Sequence, residues 1–210
     1  MKPTQSKQEH FTPRSTHRGL VDTTLLFHHP RLSDLLSSKS LDGYPRPQPN
    51  QNMRPALDAL TVAKLFPGET ANAAAAQCVM SGLWLVHGFL DQAHEICQSI
   101  PTATGSFWHA IMHRLEGDYW NSKYWYRQVG RHAVIERIAV RLQVAWNPSD
   151  FVDQCERLQK TPLESPAQMT ARHVAQVEWQ ELFTDCWAQA NSGPPFATDA
   201  AMNSPRTGDL

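Results

Sequence analysis

The chain has 210 residues, with 19 basic against 20 acidic side chains, a formal net charge of −1 and 41% hydrophobic residues. That length allows one ordinary domain with extensions, and the even charge argues against a general nucleic-acid binder, which carries a basic excess. No run of 18 apolar residues is present, so no membrane span is expected; the opening "MKPTQSKQEHFTPRSTHRG" lacks the apolar stretch of a secretory signal, which makes the cytoplasm the expected location.

Residues 1–55 hold seven of the 15 prolines, and "GYPRPQPNQNMRP" can sustain neither a helix nor an inner strand. This stretch is expected to be a disordered arm. Within it, Leu and Phe cluster around His28, His29 and Pro30 over residues 20–41, which suits a transient helix or a docking motif. The Pro/Ser/Gly-rich tail, residues 190–210, is expected to be disordered as well. The folded domain is therefore placed at 56–189.

That domain reads as helix throughout. Leu57, Leu60 and Leu65 share a face before Pro67-Gly68 stops the pattern. Thr70 is placed to cap the alanine-rich segment that follows, up to Gly88. "FLDQAHEICQSI" spaces Leu90, Ala93 and Cys97 on one face; "SFWHAIMHRLE", with Ser106 as its cap, bends at Gly117-Asp118 into "YWNSKYWYRQV", which ends at Gly130. "HAVIERIAVRLQVAW" carries Val134, Ile138 and Leu142 four apart, Ser149 can cap the next helix, and Ser165-Pro166-Ala167-Gln168 opens a last one running to about Ala188. No segment alternates in the two-residue period of a strand. The fold expected is all-α, a compact bundle of antiparallel helical hairpins. Cys78, Cys97, Cys155 and Cys186 are widely spaced in apolar helical surroundings and read as small core residues.

Two blocks superpose at an offset of 29 residues, aligning Gly88, Leu90, Ala93, Cys97 and Ile100 with Gly117, Tyr119, Ser122, Tyr126 and Val129. Glycine permits the tight turn, the large residue two positions on packs back across it, and the small one five positions on lets two helices approach. This Gly-x-large-x-x-small pattern over residues 78–130 resembles the tetratricopeptide and Sel1-like repeats. The resemblance implies helical hairpins and a surface for a protein or peptide partner. Two repeats are fewer than a solenoid needs, which favours a compact bundle. The block "GSFWHAIMHRLEGDYWNSKYWYRQVGRH" is also similar to one in a group of bacterial and fungal proteins with no assigned activity.

Two sets of residues carry chemistry. His109 and His113 stand one helical turn apart and project from one face, as two ligands of one metal ion would, with Glu116 continuing the stripe. At about 1.5 Å rise per residue, His109 and Glu116 are some 10 Å apart, so a third ligand must come from another helix. His87, His94 and His132 are the candidates, and such imidazole–carboxylate sets suit zinc, iron or manganese. The motif lacks the H-E-x-x-H order of zinc proteases, and the same histidines can serve as packing groups, with Glu116 paired to Arg114 or Lys123. The second set is aromatic: Trp108, Trp120, Tyr124, Trp125 and Tyr126 lie beside Lys123, Arg127 and Arg131. Such residues build a core at helical spacing or, where exposed, a binding face, with Trp120, Tyr124 and Arg127 as the contacts. The two functions weighed are therefore a non-catalytic interaction or scaffold module and, as the alternative, a metal-binding protein or metal-dependent enzyme.

Overall fold

The computed structural model describes residues 28–36, 47–68 and 70–191, and these hold helices and no strand. After a 3-10 turn at Gln51–Met53 come α1 (Arg54–Asp58), α2 (Val62–Leu65), α3 (Ala73–Val86), α4 (Leu90–Cys97), α5 (Ala103–Glu116), α6 (Tyr119–Val129), α7 (Ala133–Leu142), α8 (Pro148–Arg157) and α9 (Pro166–Asn191). The all-α expectation holds. No helix among the described residues is long and apolar enough to cross a membrane.

Successive helices pair as hairpins, α3 with α4 and α5 with α6, while α9 packs along α3 and α7. The two hairpins turn alike. Phe89 N–H donates to Trp84 O and Gly88 N–H to Leu85 O; 29 residues on, Asp118 N–H donates to His113 O and Gly117 N–H to Arg114 O. Both glycines have positive φ, 77° and 90°, the conformation that ends a helix without a side-chain clash. The small residues also do as their spacing implies. Ser81 Oγ donates to Ala93 O at 2.9 Å in the first hairpin, and Ser122 Oγ to Ala110 O at 2.8 Å in the second. Residues 81 and 93 are thus the equivalents of 110 and 122, with the hydroxyl moved to the other helix.

Helix starts differ from expectation where a neighbouring residue offers the better-placed acceptor, downstream at α3 and upstream at α5 and α8. Asn72, not Thr70, caps α3; Thr102, not Ser106, caps α5 by accepting from Gly105 N–H; Asn147, not Ser149, caps α8. Helix α7 stops at Leu142 because Gln143 adopts a left-handed conformation (φ 56°), which lets Val144 N–H reach back to Ala139 O. The Ser165 cap on Gln168 N–H is present, while the Gln168 amide is turned to Leu158 O at 2.6 Å.

The folded unit extends upstream of residue 56. Leu32, Leu35 and Leu36, from the stretch expected in the flexible arm, are buried in the core. Arg31 donates to Leu65 O at 2.6 Å, the His29 ring meets the edge of Trp187 at 4.8 Å, and His87 Nε2 donates to Leu35 O at 2.6 Å. Three leucines and these hydrogen bonds offset the ordering entropy of a short segment. Chain 47–50 then crosses Gly88 so closely that a Cβ there would lie 2.7 Å from Gln48 O. Residues 1–27, 37–46 and 192–210 of the expected arm and tail lie outside the described residues.

The core has a charged centre. Arg114 on α5 and Glu178 on α9 are fully buried and form a two-armed ion pair, and the hydroxyl of Tyr126 on α6 joins it. Burial pushes the Tyr126 phenol up, so it remains a donor to the carboxylate. The guanidinium also lies 4.6 Å from the centre of the Phe151 ring on α8. Removing one member leaves a bare charge in the interior. Arg114→Ala is therefore expected to reduce the unfolding free energy by about 3–5 kcal/mol. The paired change Arg114→Met/Glu178→Leu should cost much less, and urea denaturation of both would show equal losses if the cluster were not acting as an ion pair.

Candidate metal centre

Helix α5 is buried along nearly its whole length, from Phe107 to Leu115. Its four-residue spacing puts His109 and His113 on the face toward α4, where His94 projects from the opposite side. The ring centroids are 4.7 Å apart for His94–His109, 5.4 Å for His94–His113 and 4.8 Å for His109–His113. One nitrogen from each ring can be chosen so that all three lie within 4.8 Å of one another. Tetrahedral nitrogens at ~2.05 Å from an ion are about 3.3 Å apart, so modest side-chain rotation would close the set.

His109 is the centre of this arrangement. It is 3% exposed, and neither ring nitrogen has a hydrogen-bond partner. A buried polar group without a partner costs about 1–3 kcal/mol, and native cores rarely leave one without a reason. One face of the ring is covered by Trp125 of α6, stacked at 4.0 Å. Burial, then the neighbouring His113 and His94, lower its pKa to about 4. The imidazole is neutral at physiological pH and its lone pair is free, the state a metal ligand requires.

His113 is oriented from outside. Its Nδ1 lies 3.2 Å from Glu116 Oε2, so Nδ1–H donates to the carboxylate and Nε2 is left for the cluster. Burial lowers its pKa, opposed by the charges of Glu116 and Asp118. Glu116 is half exposed and bonds His113; Arg114 and Lys123, expected as its partners, pair with Glu178 and Asp153.

The other candidate histidines lie elsewhere. His87, at the end of α3, holds the Leu35 carbonyl, and burial lowers its pKa. His132 caps α7 through Nδ1, which accepts from Val134 N–H, and its Nε2 contacts Thr104 Oγ1 at 3.2 Å. A histidine can serve as a helix cap, which explains its place after Gly130. Trp125 was visible in the sequence only as one of a cluster; its ring reaches His109 across the hairpin, a relation that spacing within one helix does not encode.

The aromatic cluster divides. Trp108 and Tyr126 are buried in the core, whereas Trp120 is 68% and Tyr124 39% exposed. Trp120 and Tyr124 stack with their centroids 6.2 Å apart, and the Arg127 guanidinium lies 5.8 Å from the Tyr124 ring. No family model, curated protein or solved structure matches the chain.

The depressed pKa of His109 has a definite sign. In the unfolded chain the ring takes a proton near its ordinary 6.5, in the folded chain only near 4. Stability is therefore level above pH 6.5 and falls as the pH drops from 6.5 to 4, by about 3 kcal/mol from this group. His87, His113 and His132, also lowered by burial, contribute with the same sign as the pH falls below 6.5. His109→Phe, which keeps a ring against Trp125, should flatten that part of the stability–pH curve; an unchanged slope in urea titrations across the window would refute the assignment.

Proposed function

We propose that the chain is a transition-metal-binding protein whose ligands are His94, His109 and His113. The observation that carries this reading is His109: a buried, neutral imidazole with both nitrogens unpaired, set between two other imidazoles whose nitrogens lie within 4.8 Å. Glu116 serves as the outer partner of His113, which fixes the tautomer and raises ligand basicity. The inner donor set is then all nitrogen. That favours zinc, copper or iron over manganese, which prefers oxygen donors. Three protein ligands leave a fourth position for water or a substrate, the pattern of reactive rather than purely structural sites.

The test is elemental analysis of untagged full-length protein. About one equivalent of metal is expected per chain, absent from His109→Ala/His113→Ala with helicity retained. Glu116→Gln, at an exposed position, should weaken affinity by about 10–100-fold without affecting the fold. A folded wild-type chain that takes up neither zinc nor copper at micromolar free metal would overturn the proposal.

A second reading is supported by the exposed face of α6. Trp120, Tyr124 and Arg127 fall at i, i+4 and i+7, and a Trp that is 68% exposed is not part of the core. Aromatic and arginine side chains in such a row are the usual anchors for a peptide partner, in keeping with the hairpin repeats that the sequence resembles. Trp120→Ala and Arg127→Ala should then abolish selection of peptides from a displayed library while leaving the melting curve unchanged. Equal enrichment by wild type and variants would remove this reading.

A further inference from the structure

The exposed rings of α6 and the buried rings of the histidine cluster form one continuous series. From solvent inward the order is Trp120, Tyr124, Trp125, His109. The centroid separations are 6.2 Å, 5.4 Å and 4.0 Å, and His109 is in turn 4.8 Å from His113 and 4.7 Å from His94. Each ring is in or near van der Waals contact with the next. Packing accounts for the inner members, since Trp125 covers His109 and is partly buried against the core. It does not account for Trp120, most of whose surface faces water, or for Tyr124, which contacts it. Indole and phenol are among the most easily oxidised side chains a protein has, and along α6 they lead from this centre to the surface.

We propose that Trp125, Tyr124 and Trp120 form an electron relay between the three-histidine centre and a reductant at the surface, an inference that rests on the metal reading above. Copper is the redox metal that three imidazoles hold best. The reaction it would support is the two-electron reduction of hydrogen peroxide. The O–O bond breaks, two protons released by the oxidised donor are taken up through solvent, and two molecules of water form. The two electrons leave the centre's neighbour Trp125 one at a time. Each is replaced from Tyr124, whose phenolic proton passes to solvent, and then from Trp120. A one-electron donor of the ascorbate class restores Trp120, and the proton returns to Tyr124 as it is reduced. In the absence of a donor the same route carries oxidising equivalents away from the histidine ligands to a replaceable surface residue.

The test uses full-length protein loaded with copper(II), zinc(II) or no metal, treated with peroxide, frozen and examined by electron paramagnetic resonance, with peptide mapping of oxidised residues. Copper-loaded wild type should give a tyrosyl or tryptophanyl radical and oxidation confined to Trp120 and Tyr124. The zinc form, which has no redox chemistry, should give neither. Trp125→Phe keeps a ring against His109 and should retain its copper, yet lose the radical and shift oxidation to His109. Tyr124→Phe should abolish the tyrosyl signal with the same copper content. If Trp125→Phe holds copper and gives the wild-type radical and oxidation map, the relay is overturned and the metal centre stands. If wild type takes up neither copper nor zinc, both fail together.

Discussion

The ion pair between Arg114 and Glu178 is the constraint from which the rest of the interior follows. Two unit charges with no exposure to water are tolerable here because both terminal nitrogens of Arg114 meet Glu178, while Nε–H has no partner among the described residues; desolvation of either ion costs several kcal/mol. Tyr126 supplies the third hydrogen-bonding group and Phe151 lies against the guanidinium. Four helices, α5, α6, α8 and α9, meet at this point, and rotation of α5, α6 or α9 about its axis would break a hydrogen bond of the cluster. Hydrophobic packing alone tolerates rearrangement more readily; hydrogen bonds between buried charges are directional and admit fewer arrangements.

That fixed rotation determines what α5 presents on its other side. With Arg114 directed to α9, residues 109, 113 and 116 must face α4, because positions four and three apart return to the same side of a helix. His94 arrives there from α4 at the height set by the Gly88 turn and the close contact through Ala93. The other hairpin does the same for Trp125. Gly117 ends α5, Asp118 caps α6 by accepting from Asn121 N–H, and Ser122 sits against Ala110, so that α6 lies near enough for Trp125 to stack on His109. The cluster is therefore assembled by two hairpins of the same design, one contributing a ligand and the other a cover.

Much of this was legible in the sequence and some was not, for identifiable reasons. Glycine turns, alanine-rich runs and four-residue apolar spacing act over a few residues, so the helices from α3 onward and both hairpin bends could be read directly. The histidine pair on α5 and His94 as one possible third member were also visible. What no local pattern revealed was the choice among His87, His94 and His132. That choice depends on tertiary contacts: His87 is taken by the Leu35 carbonyl and His132 by the start of α7. The caps failed for a smaller reason. Where Thr102 precedes Ser106 and Asn147 precedes Ser149, the first acceptor in the right geometry starts the helix. Leu32, Leu35 and Leu36 were hidden by the prolines around them, since composition describes a stretch on average and burial is decided by three side chains.

A protein core that contains an imidazole with two unpaired nitrogens departs from the consistency expected between local chemistry and fold. Packing does not require it. A leucine or phenylalanine at 109 would fill the space under Trp125 without a desolvated polar ring, and would spare the chain the loss of stability on acidification. The same holds for Trp120 on α6, where a large ring is 68% exposed and stacks on Tyr124. Each is a local cost, and the two lie at the ends of a single series of neighbouring rings, stacked at both ends and edge-on between Tyr124 and Trp125. Residues retained at a cost to stability are best explained by what they bind or carry, and here they lie along one path from solvent to three imidazoles. The ion pair at Arg114 supports that path by holding α5 and α6 in fixed register, although no atom of the pair takes part in the path itself.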